Sequence, residues 1–318
     1  MIMNKNPILY LVVPVYNEEE VLEITTKELD KKINNLIKNK IIDNKSRVVY
    51  VNDGSKDKSW DIIKNINKKN KLFTGLKLSR NKGHQNALLA GLMYAKDLCD
   101  ITISMDADLQ DDINAIDEMV SEYKKGSEIV YGVRSSRKKD TFFKRFTAQT
   151  YYKLLASLGV NIVYNHADYR LMSKKALEAL SEYEESNLFL RGIIPELGYK
   201  TSIVYYERNK RVAGTSKYPL KKMIKLAIDG ITSFSIKPLK MITNLGFIMG
   251  IISLGVLIYS IVRKYTGNTV TGWTFTVVSI WLVAAIQMVS LGIVGEYIGK
   301  IYSETKKRPR YIIEEVLK

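Results

Sequence analysis

The sequence predicts an α/β protein with a mostly parallel sheet, followed by a pair of membrane-spanning helices. Strand-like and helix-like patterns alternate through the first 200 residues, and short polar motifs close the strands. Two long apolar runs then stand near the C-terminus.

The elements follow in order. Leu9–Val15 (LYLVVPV) is an unbroken apolar run of strand length, the pattern of a strand buried on both faces. Residues 18–37 make an amphipathic helix opened by acidic residues. A second strand covers 47–52, and a helix follows from about Ser59. Further strands cover 72–78 and 101–105, separated by a helix over 85–96. Such a sheet carries helices on both faces and binds ligands beyond the carboxyl ends of its strands.

Residues 241–262 contain no charged side chain, and 275–298 almost none before Glu296. Each run is long enough to cross a hydrocarbon core of about 30 Å. A pair of buried core helices is the plainer alternative. Arg263 and Lys264 are the only basic residues between the runs, whereas lysines and arginines crowd 208–240 and 300–310. The positive-inside rule then places the N-terminal part and the C-terminal tail in the cytoplasm. Residues 219–238 mix basic and apolar side chains at helical spacing, which suits either a bilayer-surface helix or a solvated one. The expected division is an α/β domain over 1–218, an interfacial helix over 219–238, a hairpin over 239–300 and a tail over 301–318.

The chain of 318 residues carries a net charge of +16, and 46% of its residues are hydrophobic. The charge points to an anionic partner. Because Lys and Arg are spread along the chain without an arginine-rich arm, the pattern argues against nucleic acid and for a membrane face. The single cysteine, Cys99, offers neither an intrachain disulfide nor a thiolate metal cage. The opening residues 1–7 are short and polar, so no signal peptide is expected.

Four polar motifs carry the chemistry. Val13-Pro14-Val15-Tyr16-Asn17-Glu18-Glu19 closes the first strand, although helix capping alone would account for its last three residues. Val51-Asn52-Asp53-Gly54-Ser55-Lys56-Asp57 closes the second, with Asp53 facing a pocket or simply making an Asp-Gly turn. Asn81-Lys82-Gly83-His84-Gln85-Asn86-Ala87 begins a helix and offers backbone amides and a lysine to a diphosphate. Here His84 reads as a packing residue. Met105-Asp106-Ala107-Asp108-Leu109-Gln110-Asp111-Asp112 follows a hydrophobic strand. Asp106 and Asp108 point the same way from an extended backbone and can hold a hard divalent cation, with Gln110 nearby. Asp111 and Asp112 would serve the next helix N-terminus.

In this order, each at a strand end, the motifs are similar to those of family 2 glycosyltransferases of the GT-A (Rossmann-like) fold, across essentially the entire chain. Within that family the chain resembles the polyprenyl-phosphate glycosyltransferases, and most of all their bacterial branch. Tyr131-Gly132-Val133-Arg134, His166-Ala167-Asp168-Tyr169-Arg170-Leu171-Met172, Phe189-Leu190-Arg191-Gly192 and Gly214-Thr215-Ser216-Lys217-Tyr218 extend the likeness. So do Gly295-Glu296-Tyr297-Ile298-Gly299-Lys300 and Lys307-Arg308-Pro309-Arg310-Tyr311.

The resemblance implies a role for each matching position. Pro14, Tyr16, Glu18 and Asp53 would surround the nucleotide, with Lys82 at the diphosphate. Asp106, Asp108 and Gln110 would hold Mg²⁺ or Mn²⁺. Arg134 and Arg145 would bind the acceptor phosphate, and Arg208, Arg211, Ser216 and Lys217 would lie on a loop closing over the diphosphate. Asp168 would be catalytic, as a general base or as an orienting group. The implied reaction is an inverting transfer of one sugar, of UDP-glucose type, to undecaprenyl phosphate at the cytoplasmic membrane face. GDP-mannose and UDP-linked GlcNAc or aminoarabinose are the alternative donors. The processive Gln-x-x-Arg-Trp block is absent from the sequence, which implies a single transfer. The expected partners are the nucleotide sugar, the lipid phosphate and the bilayer, with room for a homo-oligomer. A soluble nucleotide-sugar enzyme and a non-catalytic membrane scaffold are the rival classes.

Overall fold

The computed structural model describes residues 6–135, 166–185, 189–208, 237–265 and 272–318. Strands β1 (Leu9–Val15), β2 (Arg47–Asn52), β3 (Phe73–Leu78) and β4 (Ile101–Ser104) alternate with helices α1 (Leu22–Lys38), α2 (Ser59–Lys69) and α3 (His84–Ala95). Then come α4 (Ala115–Lys124), β5 (Ile129–Arg134), β6 (His166–Ser173), α5 (Lys174–Ser181), α6 (Leu190–Glu196) and β7 (Thr201–Tyr206). Helices α7 (Lys237–Tyr265) and α8 (Trp273–Thr305) form the C-terminal pair, and β8 (Ile313–Leu317) closes the chain.

The eight strands make one sheet in the order β7-β5-β6-β4-β1-β2-β3-β8. β1 pairs in parallel with β2 and β4, β2 with β3, and β5 with β7. β6 runs antiparallel to β4 and β5, and β8 antiparallel to β3. The sheet is therefore mixed at its two added strands, while its centre is the parallel unit that the alternating pattern predicts.

Alternation along each strand sorts side chains to two faces. Leu11, Val13, Val48 and Tyr50 meet Leu29, Ile33, Ile63 and Met119 from α1, α2 and α4 on one face. Val12, Val49 and Val51 meet Leu88, Leu89, Leu177 and Ile193 from α3, α5 and α6 on the other. Because both faces are covered, the loops at the carboxyl ends of β1, β2 and β4 are left as the free rim.

Residues 301–318, expected as a tail, continue α8 to Thr305 and then return to the sheet. Glu315 accepts from Trp60 Nε1 at 3.0 Å, Lys77 meets Glu314 at 3.1 Å, and Asn67 Nδ2 donates to Lys318 O at 3.3 Å. These contacts bind β8 to α2 and β3, so the C-terminal segment is part of the α/β domain. α7 and α8 leave Phe247, Ile248, Ile251, Ile280, Met288 and Leu291 exposed, side chains that water does not favour. Among the described residues, Leu282–Thr305 is the one stretch long and apolar enough to cross a membrane, with mean hydropathy 1.6. Leu239–Met249 is a shorter apolar stretch. The interfacial helix expected before α7 lies almost wholly outside the described residues.

Candidate active site

The first two motifs lock to each other. Asn17, with φ 53°, donates its amide to Ser55 Oγ at 3.0 Å and accepts Lys56 N on Oδ1 at 2.8 Å. Glu18 N reaches Ser59 Oγ at 3.0 Å, and Lys58 N reaches Glu19 Oε2 at 3.0 Å. Pro14 is buried within β1 opposite Val51, whereas Tyr16 stands 37% exposed at the rim. Tyr16 and Glu18 are thus left beside the strand ends, while Asn17 serves as a crosslink between the two motifs.

Asp53 is buried and committed. Its carboxylate accepts Lys82 N at 2.7 Å and Gly83 N at 2.9 Å. The carboxylate expected beside the nucleotide thus also clamps the third motif, through two of that motif's backbone amides. Gly54 (φ 63°) makes the clamp possible: a Cβ there would sit 2.6 Å from Arg80 C and Asn81 N. The Lys82 side chain points elsewhere, with Nζ 3.5 Å from Pro309 O in the returning C-terminal segment.

The fourth motif leaves β4 in a tight loop with Leu109 at φ 54°. Asp106 is half-exposed, with His84 Nε2 3.7 Å from its Oδ1. Asp108 is buried and accepts Gln110 N at 3.1 Å. Gln110 Oε1 accepts from Arg208, so the amide oxygen predicted for a metal is engaged by the predicted loop arginine. Asp112 does cap the turn into α4, through Asn114 N at 2.9 Å. Asp111 does not. It is buried against the Tyr206 hydroxyl, which donates to it, and lies 4.0 Å from Arg134 Nη2. Burial and then the Asp106 charge push the Asp111 carboxyl up to about 6.

On β6, Asp168 lies beside the same loop, its carbonyl accepting Ser104 Oγ at 2.5 Å. Arg170 Nη2 donates to its Oδ1 at 2.6 Å, and Arg191 Nε and Nη2 donate at 3.1 and 2.9 Å. Burial acts to raise its carboxyl, but Arg191 and Arg170 hold it well below the usual carboxylate range. His84 Nε2 is 3.7 Å from Asp168 Oδ2 as well as from Asp106, so one imidazole bridges the two acidic positions.

The structure therefore brings Asp106, His84, Asp168, Arg170 and Arg191 together, and separately Asp111, Arg134 and Tyr206. Arg145, Arg211, Ser216 and Lys217 lie outside the described residues. Sequence reasoning missed the pairing of Arg191 with Asp168, for which no local spacing signal exists. It also read His84 as packing. Asp168 and Arg170 share a strand face at i, i+2, and that spacing could have shown their ion pair.

Among the described residues no group of three or more His, Cys, Asp or Glu forms a cage for a metal. A Mg²⁺-type site does not need one, since such ions are held by one or two carboxylates plus substrate phosphates. Crowding of Asp106, Asp108 and Asp111, enough for the first two to raise the third, is the negative excess that a hard cation relieves. The donor set fits such an ion.

An open α/β sheet with paired aspartates after β4 at its carboxyl rim defines a GT-A glycosyltransferase. The chain belongs to glycosyl transferase family 2, whose profile matches residues 10–181, and residues 237–301 match the GtrB C-terminal hairpin. It is 50% identical over 308 residues to the uncharacterized glycosyltransferase YkoT of Bacillus subtilis (strain 168), covering 97% of this chain and 91% of that one. It is 39% identical to the prophage bactoprenol glucosyl transferase homolog of Escherichia coli (strain K12), covering 97% and 99%. The bactoprenol glucosyl transferase of Shigella phage SfX is also 39% identical, with 96% and 98% covered.

Proposed function

We propose that the protein transfers one glucose-type sugar from a UDP-linked donor to the phosphate of undecaprenyl phosphate, with inversion, at the cytoplasmic face of the membrane. The observation that carries this reading is the likeness to bactoprenol glucosyl transferases along nearly the full length of both chains, hairpin included. Both helices α7 and α8 span the bilayer in this reading, with the α/β domain and the C-terminus in the cytoplasm.

Asp106 and Asp108 hold Mg²⁺ or Mn²⁺, which neutralises charge on the departing diphosphate when bound. Tyr16 and Glu18 line the nucleotide side, and Asp53 shapes that side indirectly by holding the Lys82–Gly83 backbone. Arg134, Arg145 and the segment bearing Arg208, Arg211, Ser216 and Lys217 supply positive charge for the acceptor phosphate and the diphosphate.

Asp168 is a positioning residue. A phosphate monoester is already anionic at neutral pH, so it gains more from orientation than from a base. A carboxylate with two guanidinium partners is also a poor proton acceptor. Incubating the purified protein with undecaprenyl phosphate, Mg²⁺ or Mn²⁺ and labelled sugar nucleotides tests the reading. A glucolipid formed from UDP-glucose is expected, and no lipid product from any donor overturns it.

A further inference from the structure

We propose that Tyr206 is a positioning residue whose hydroxyl aims the Arg134 guanidinium at the acceptor phosphate. The pairing of Arg134 with that phosphate is part of the proposed function, on which this inference rests. Strand pairing brings the two side chains together. Arg134 and Tyr206 are register partners at the carboxyl ends of β5 and β7, so both point to the same face of the sheet. Ser135 closes the pair, with its N and Oγ reaching Tyr206 O at 2.9 and 3.1 Å.

The ring of Tyr206 has little freedom. It is 4% exposed and stands edge-on to Tyr169, with ring centroids 5.3 Å apart. Tyr169 is itself buried on β6, and its hydroxyl donates to Asp112 O at 3.0 Å. Two tyrosines, one from each strand flanking β5, thus brace the loop that follows β4.

The chemistry of the Tyr206 hydroxyl then fixes its direction. It has one proton, and the Asp111 carboxylate takes it. Its lone pairs are left for Arg134, whose Nε lies 3.5 Å away and can only donate. A hydroxyl polarised by a carboxylate is a better acceptor, so the three groups act as a chain. Arg134 Nη2 stays 4.0 Å from Asp111 Oδ1, beyond hydrogen-bonding distance. Holding the arginine by Nε sets the plane of its guanidinium and leaves the terminal amino groups for a ligand. Bidentate recognition of a phosphate needs such a fixed plane.

The test is calorimetric titration of the detergent-solubilised full chain with farnesyl phosphate and, separately, with UDP plus Mg²⁺. Tyr206→Phe keeps the ring and removes only the hydroxyl. Affinity for farnesyl phosphate should fall about tenfold, the order of one hydrogen bond to a charged group, while UDP affinity stays within about twofold of wild type. Arg134→Ala should lose at least as much. Adding Tyr206→Phe to it should cost nothing further, because the hydroxyl acts through the arginine. Should Tyr206→Phe melt well below wild type, it is combined with Asp111→Asn, which removes the buried charge left without its donor. That double variant, compared with Asp111→Asn alone, should show the same loss. Unchanged farnesyl phosphate affinity, a loss additive with that of Arg134→Ala, or an equal loss for UDP would each overturn the role. So would a wild-type protein that does not bind farnesyl phosphate. A wild-type protein that binds both ligands, with the variants behaving as described, but makes no glycolipid would instead sink the proposed function alone.

Discussion

Arg170 and Asp168 stand two positions apart on β6, and the buried guanidinium of Arg170 reaches the Asp168 carboxylate at 2.6 Å. Arg191 arrives from a different helix to close the other side of the same carboxylate. The three residues form one electrostatic unit beside the aspartate-rich loop after β4.

Removing its only anion should therefore cost stability as well as turnover. Asp168→Asn leaves Arg170 buried without a counter-charge, and a loss of about 3–5 kcal/mol is expected. Urea denaturation of the two proteins measures it. A change below about 1 kcal/mol would mean that the ion pairs contribute little.

The pH dependence of that loss has a definite sign. The Asp168 carboxyl in the folded protein is held below its unfolded value, so its contribution is fully present above about pH 4. It disappears only as pH falls through the lower, folded value. The stability gap between wild type and Asp168→Asn should stay flat from about pH 5 to 8. Activity over the same range should show no limb that vanishes in Asp168→Glu.

Asp53→Ala should act through the backbone it holds. Two amides, of Lys82 and Gly83, lose their acceptor, which costs about 2 kcal/mol and loosens the turn leading into α3. A higher KM for the sugar nucleotide with little change in kcat is the expected kinetic signature. An unchanged KM would detach Asp53 from the donor side altogether.

Asp106→Asn and Asp108→Asn should each lower turnover by about 100-fold or more and raise the Mn²⁺ concentration needed for half-maximal rate. Metal titration of initial rates is the measurement. Full activity in the double variant, or in wild type kept in EDTA, would remove the cation from the account.

Cys99 gives a check on the α/β packing that is independent of catalysis. It is 5% exposed, donates to Ala95 O at 3.1 Å, and burial pushes its thiol up to about 12. Thiol reagents at pH 8 should leave it unmodified until denaturant is added.

Much of the fold was legible because its signals are local. Leu9–Val15 is apolar throughout, as a doubly covered central strand must be, and its end matches the first polar motif. The apolar runs that became α7 and α8 are equally self-declaring. β8 was not legible. Its sequence, Ile-Glu-Glu-Val-Leu, carries two charges, and as an edge strand it needs no long apolar run. Its place is set by Trp60 and Gly75, over 230 residues away. The paired aspartates after β4 could be read from spacing, whereas Arg191 could not, because only the packing of α6 against α3 carries it to Asp168. Asp53 could be read as facing a pocket or as a plain Asp-Gly turn, but its hold on two amides of the third motif could not, because a sequence shows the carboxylate and not the backbone that folds against it.

The return of the chain from α8 to β8 means that the C-terminal end of the hairpin is tied to the sheet. A protein cut before α7 would lose an anchor and also the outermost rung of its sheet, baring the edge of β3 to any passing strand. A water-soluble version would therefore need residues 311–318 spliced back on, and swapping in a foreign anchor would succeed only if that last segment came with it.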